Sequence, residues 1–200
     1  MGDDGIRLTT GEFKGRKVEC PQTGGVRPML NRTRMALYNV LGKSLKDAQV
    51  WDCFAGSGLL GFEALSRGAK HVVFVEREGF HARMVQGNID SLEVRSRTSL
   101  IRGSVFDLVR PDAPPLPHTP AELLLLDPPH AMIEELPGQF WPWFLALPET
   151  RLVGPRTQAA IGHPSNLKFP TGLDQSGWSI QQTRQYGSVA FTILETTRHQ

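Results

Sequence analysis

The chain has 200 residues, 40% of them hydrophobic, and a formal net charge of +2, enough apolar material for one well-cored domain with a small appendage. No apolar stretch approaches the roughly 20 residues that span a bilayer, and Met1-Gly2-Asp3-Asp4 lacks the basic-then-apolar layout of a secretory signal. Cys20 and Cys53 have no metal-ligand spacing, and Cys53 lies in an apolar run, as a buried thiol does. These features point to a soluble cytoplasmic protein with no membrane and no metal.

Charge divides the chain. Residues 1–46 carry nine Lys and Arg against four Asp and Glu, whereas the other 154 residues carry thirteen against sixteen. A basic segment on a mildly acidic body suits contact with a polyanion, although charge alone fits an ordinary solvated face equally well. The expected organisation is a basic ribbon and helix over 1–46 and a main domain over 47–200.

Ile6-Arg7-Leu8 and Arg16-Lys17-Val18-Glu19 flank a glycine-bracketed link and read as a β-ribbon. After a loop at Pro21–Pro28, Asn31 is a candidate N-cap for a helix through about Leu41, with Leu37, Val40 and Leu41 on its apolar face. Strand–helix alternation then begins. Residues 50–54 read as a strand, 59–66 as a helix ended by Gly68, and 71–76 as a second strand. A helix over 80–92 carries Phe80, Met84, Asn88 and Leu92 at i+4 spacing, and a third strand follows at 98–102. A proline-rich loop, Pro111–Pro120, precedes Leu123-Leu124-Leu125-Leu126-Asp127, the continuous run of a strand buried on both faces. A helical stretch around Trp141–Phe144 is interrupted by prolines; strands near 158–161, 178–184 and 188–194 close the chain, the last two as a hairpin. The expected fold is α/β and Rossmann-like: a mostly parallel sheet, an antiparallel C-terminal hairpin at its edge, and the N-terminal extension.

Gly56-Ser57-Gly58-Leu59-Leu60-Gly61 follows a strand and opens a helix, and Glu76 ends the next strand 20 positions after Gly56. Glycines let the backbone approach a ribose-bearing cofactor, and the carboxylate accepts from ribose hydroxyls. The motif alone admits both NAD and S-adenosylmethionine. Asp52 favours the second, because a carboxylate there counters the methionine ammonium directly or through water, and the chain has no room for a hydride-acceptor domain.

Asp127-Pro128-Pro129-His130 ends the buried strand at the same sheet edge. The exocyclic amine of a base is a poor nucleophile, since its lone pair is delocalised into the ring. The Asp127 carboxylate and the Pro128 carbonyl, both accepting from that amine, draw its nitrogen towards tetrahedral geometry. Consecutive prolines hold the carbonyl in place. His130 offers a ring on which the base stacks and which can also titrate.

With these residues in place, the chain resembles the bacterial RsmD family, guanine-N2 methyltransferases of 16S ribosomal RNA. The resemblance is carried by Gly15-Arg16-Lys17, Val26-Arg27-Pro28, Asp52 to Gly58, Glu63-Ala64-Leu65-Ser66-Arg67-Gly68-Ala69, Asp127-Pro128-Pro129 and Tyr186-Gly187. It implies a class I methyltransferase fold, with S-adenosyl-L-methionine lined by Asp52, Phe54, Ala55, Gly56, Ser57, Gly58, Glu76, Arg77, Ser104 and Val105. Asp127 to His130 would then meet the target base, and Arg16, Lys17, Arg27, Arg32 and Arg34 the RNA, within the small ribosomal subunit or an assembly intermediate. His130 stands where the family usually has Tyr or Phe, and Ser104 where it usually has Asp or Asn. Other targets of the same chemistry are DNA adenine and a protein amide; a degenerate methyltransferase acting as an RNA-binding assembly factor is a reading of another class, and an NAD oxidoreductase the weakest.

Of the remaining residues, His71, His81 and His163 are expected at the surface or in support of the site. Trp141 and Trp143 are expected to pack, and Arg95, Arg97 and Arg102 to be exposed salt-bridge partners.

Overall fold

The structure, a computed structural model, describes residues 5–21, 31–110, 112–134 and 138–197. An antiparallel ribbon of β1 (Gly5–Arg7) and β2 (Lys17–Glu19) leads to helix α1 (Asn31–Leu41). Strand β3 (Gln49–Asp52), helix α2 (Leu59–Ser66), strand β4 (His71–Glu76), helix α3 (Gly79–Leu92) and strand β5 (Thr98–Arg102) follow in strict alternation. Strand β6 (Ala121–Leu126) is succeeded by two short helices, α4 (His130–Glu134) and α5 (Phe140–Ala146). Strands β7 (Val153–Pro164), β8 (Trp178–Tyr186) and β9 (Val189–Thr196) complete the chain.

Seven strands form one sheet in the order β5-β4-β3-β6-β7-β9-β8. The first five run parallel, and β9 is antiparallel to both its neighbours. The expected C-terminal hairpin is present: β8 and β9 pair antiparallel, with β9 inside against β7 and β8 at the edge, so their order in the sheet is exchanged relative to the chain. Composition explains the exchange. Strand β9 (Val-Ala-Phe-Thr-Ile-Leu) is buried along most of its length, whereas β8, with Gln181, Thr183, Arg184 and Gln185, keeps exposed positions that a central strand cannot hold.

The central strands alternate between two cores. Val50, Val72, Phe74, Leu123 and Leu125 face one side, with α2 and α3; Trp51, Val73, Val75, Leu124 and Leu126 face the other, with α5. This period-2 sorting is why the apolar runs lack visible alternation in sequence. Leu8, Val18 and Cys20 from the ribbon, and Leu37, Tyr38 and Leu41 from α1, belong to the first of these cores. The ribbon and α1 are thus packed into the main hydrophobic interior.

Two expectations about helices shift. In α3 the buried set is Ala82, Val85, Asn88, Ile89 and Leu92, and Phe80 is 59% exposed. The i+4 row from Phe80 drifts off the core face, because four residues exceed one 3.6-residue turn. The broken stretch around Trp141 is one helix, with Phe140, Trp141, Trp143 and Phe144 all buried.

Candidate active site

Parallel pairing brings the carboxyl ends of β5, β4, β3 and β6 to one edge, side by side. In open α/β sheets ligands bind at that edge. Asp52, the last residue of β3, is buried, and its Oδ2 accepts from the Gly61 amide at 2.9 Å. Its Oδ1 is buried without a partner. Burial, together with the nearby Asp127 and Glu76 carboxylates, pushes the pKa of Asp52 up to about 7.

The glycine loop is held from two sides. Gly56 N–H donates to Glu76 Oε2 at 2.7 Å, while Glu78 N–H donates to Oε1 at 2.8 Å. Glu76 thereby ties the loop to the end of β4 and retains acceptor lone pairs for a ribose diol. Gly58 has φ +80, and a Cβ there would come within 2.6 Å of the Phe62 ring. Ser57 is buried, and Ala55 N–H donates to the Val75 carbonyl at 3.1 Å.

Phe54 projects into an aromatic group with Phe106, Phe140 and Trp143, at centroid separations of 6.1, 6.1 and 6.3 Å. Just past β5, Ser104 Oγ accepts from the Phe106 amide at 3.4 Å and Val105 is buried. Arg77, in contrast, is exposed and pairs with Glu78 at 3.1 Å.

Cys53 N–H donates to the Leu125 carbonyl at 3.0 Å, which sets β3 and β6 in register and brings Asp127 near enough to Asp52 for their carboxylates to interact. Asp127 is partly buried, and burial alone raises its pKa to about 6. The Pro129 carbonyl accepts from Met132 N–H at 2.9 Å, whereas no backbone donor among the described residues takes the Pro128 carbonyl. His130 is exposed at the start of α4. Carboxylate and free carbonyl thus stand at adjacent positions on a strand end, with a ring two residues beyond the carbonyl.

S-adenosyl-L-methionine fits these residues on one specific observation: the buried, unpartnered Asp52 oxygen needs a cationic donor, and the methionine ammonium is one. Among the described residues no group of three or more His, Cys, Asp or Glu could hold a metal ion, and no helix is long and apolar enough to cross a membrane.

The basic residues separate. Arg16 is exposed, with one guanidinium nitrogen donating to the Ser91 carbonyl at 2.5 Å, and Arg32 is exposed at the start of α1. Lys17 is partly buried in β2. Arg27 lies outside the described residues. Arg34 departs from expectation: it is 1% exposed, donates to the Arg7 carbonyl at 3.2 Å and sits 3.9 Å from Glu63, so no phosphate reaches it. Its place on the inner face of α1 turns a candidate RNA contact into part of the interior.

Two histidines also depart from a surface placement. His71 is buried, stacks on His118 at 3.6 Å and is pushed down to about 4, first by burial and then by His118. His163 is buried and hydrogen-bonds the Pro164 carbonyl and Thr192 Oγ1. Trp141 and Trp143 pack in the core; Arg95 pairs with Asp90, and Arg97 pairs with Glu12 while also holding the Leu65 and Ala69 carbonyls. Asn88 was legible only as a member of an apolar row. It is a buried amide bonded to both the glycine loop and β2, and an amide within an apolar helix face was the available signal.

The family model described as conserved hypothetical protein 95 matches residues 6–195. The chain belongs to this family, the RsmD family. The Escherichia coli ribosomal RNA small subunit methyltransferase D is 28% identical over 200 residues, covering 97% of this chain and 91% of the relative. The solved structure of the Escherichia coli protein yhhF superposes with a TM-score of 0.79 at 24% identity, covering 97% of this chain and 99% of that one. The Haemophilus influenzae protein HI0767 gives 0.72 at 27% identity, with the same coverage. Family membership and fold therefore agree with the order of motifs around the sheet edge.

Proposed function

We propose that this chain transfers a methyl group from S-adenosyl-L-methionine to the exocyclic N2 amine of a guanine in small-subunit ribosomal RNA. The observation that carries the reading is the pairing of an uncommitted Asp127 carboxylate with a free Pro128 carbonyl, one strand away from the unpartnered Asp52 oxygen. Membership of the family, and a relative named for small-subunit ribosomal RNA, support the substrate class.

The bound cofactor supplies an electrophilic methyl on a sulfonium that is its own leaving group. Asp52 would hold the methionine ammonium, Glu76 the ribose, and the residues around Phe54, Ser104 and Val105 the adenine end. Asp127 and the Pro128 carbonyl accept the two amine hydrogens and place the nitrogen lone pair towards the methyl. As the nitrogen–carbon bond forms, the amine becomes acidic, and a carboxylate with a pKa of about 6 is basic enough to take its proton. His130 would stack on the base, and Arg16, Lys17, Arg27 and Arg32 would meet RNA phosphates.

The deciding experiment is transfer of labelled methyl to small ribosomal subunits lacking base methylation, followed by nucleoside identification. Label in N2-methylguanosine, lost in Asp127→Ala, is the expected result. Label in an adenosine derivative would overturn the target. No label, with tight subunit binding and no cofactor affinity, would establish an RNA-binding assembly factor instead.

A further inference from the structure

Asn88 occupies the middle of α3 and is buried. Its Oδ1 accepts from the Glu19 amide at 2.8 Å, and its Nδ2 donates to the Glu19 carbonyl at 3.0 Å. One side chain thus pairs with both backbone groups of the last residue of β2, as a neighbouring strand would. The second Nδ2 proton goes to the Ser57 carbonyl at 3.0 Å, so both amide donors are spent. Ser57 is the residue between Gly56 and Gly58. A second link runs alongside: Cys20 Sγ lies 3.3 Å from Ser57 Oγ, both buried.

We propose that Asn88 is a positioning residue that couples cofactor binding in the glycine loop to the placement of the basic ribbon, so that each ligand tightens the other. The coupling rests on the reading above that the ribbon meets RNA. Its physical basis is the planarity of the amide. A shift of the Ser57 carbonyl when the loop closes on a cofactor turns the Asn88 plane, and that plane holds both Glu19 bonds. Free-energy linkage requires the effect to be mutual.

The test measures binding of an unmodified 16S ribosomal RNA transcript with and without saturating S-adenosylhomocysteine. In the wild-type chain the cofactor product should tighten transcript binding about fivefold or more, the low end of allosteric couplings. In Asn88→Ala the ratio should fall to about one, whatever happens to either affinity alone. A purely structural role would weaken both ligands and leave the ratio unchanged, which overturns the proposal, as does a ratio of one in the wild type. Hydrogen exchange on the wild-type chain needs no variant: S-adenosylhomocysteine should slow exchange in residues 17–21 as well as 54–61. Protection confined to 54–61 also overturns the coupling. The underlying reading fails separately, if reversing charge at Arg16 and Lys17 leaves transcript binding without cofactor unchanged.

Discussion

Asp52 holds one oxygen against the Gly61 amide and leaves the other, equally buried, without a partner. Its folded pKa of about 7, and that of about 6 for Asp127, lie above the ordinary value of 3.8. Folding therefore favours the protonated carboxyls, and their contribution to stability is lost as pH rises from about 4 to about 7. The cofactor-free chain should melt at lower temperature at pH 8 than at pH 5, and Asp52→Asn should flatten that slope. The ammonium needs the carboxylate form, so S-adenosylmethionine affinity should rise with pH through about 7, as titration calorimetry would show. Asp52→Asn should cost about tenfold to a hundredfold in that affinity, the worth of a charged hydrogen bond. Asp127→Ala should lower methyl transfer by about a hundredfold or more with cofactor affinity intact, and wild-type turnover should increase with pH through about 6.

At the scale of elements, the seam between α2 and β4 sets the glycine loop. A Cβ on Gly61 would lie 2.3 Å from Phe74 and 2.9 Å from Val72, both in the middle of the sheet. Gly61→Ala should cost about 1–3 kcal/mol by overpacking, read as a lowered urea midpoint. The same substitution moves the amide that Asp52 accepts from, so cofactor affinity should drop with stability. Helix α3 shows the limit of reading a face from spacing alone. Phe80 shares an i+4 row with Leu92 yet stands exposed, and Phe80→Ser should change stability by less than about 0.5 kcal/mol. Its buried polar member, Asn88, is explained only by Glu19 and Ser57, which are 69 and 31 positions away in the chain.

At the scale of the whole molecule, the ribbon, α1 and the sheet share one interior, and a charge network around the buried Glu63 marks their junction. Glu63 accepts from the Thr9 amide and hydroxyl and from Arg67 Nε at 3.1 Å, with Arg34 at 3.9 Å. Removing the carboxylate leaves the buried Arg34 and the partly buried Arg67 without their shared anion. Glu63→Ala should destabilise the chain by about 3–5 kcal/mol, measured by denaturant unfolding, and should loosen the ribbon along with α2. The Glu63-to-Ala69 run, legible as a family signature, owes its Glu and Arg to this junction and not to the cofactor edge.

The order of strands and helices, the glycine loop, the spaced carboxylate Glu76 and the Asp-Pro-Pro turn were all legible in the sequence, because each depends on neighbours within a few residues or on one period of one element. The position of β9 between β7 and β8, the burial of Arg34, His71 and His163, and the three hydrogen bonds of the Asn88 amide were decided by tertiary structure. These depend on which distant groups share a low-dielectric interior, where an amide or guanidinium persists only if partners arrive from other elements. Local pattern fixes what each segment can become; only packing selects which of its faces, and which of its charges, leave water.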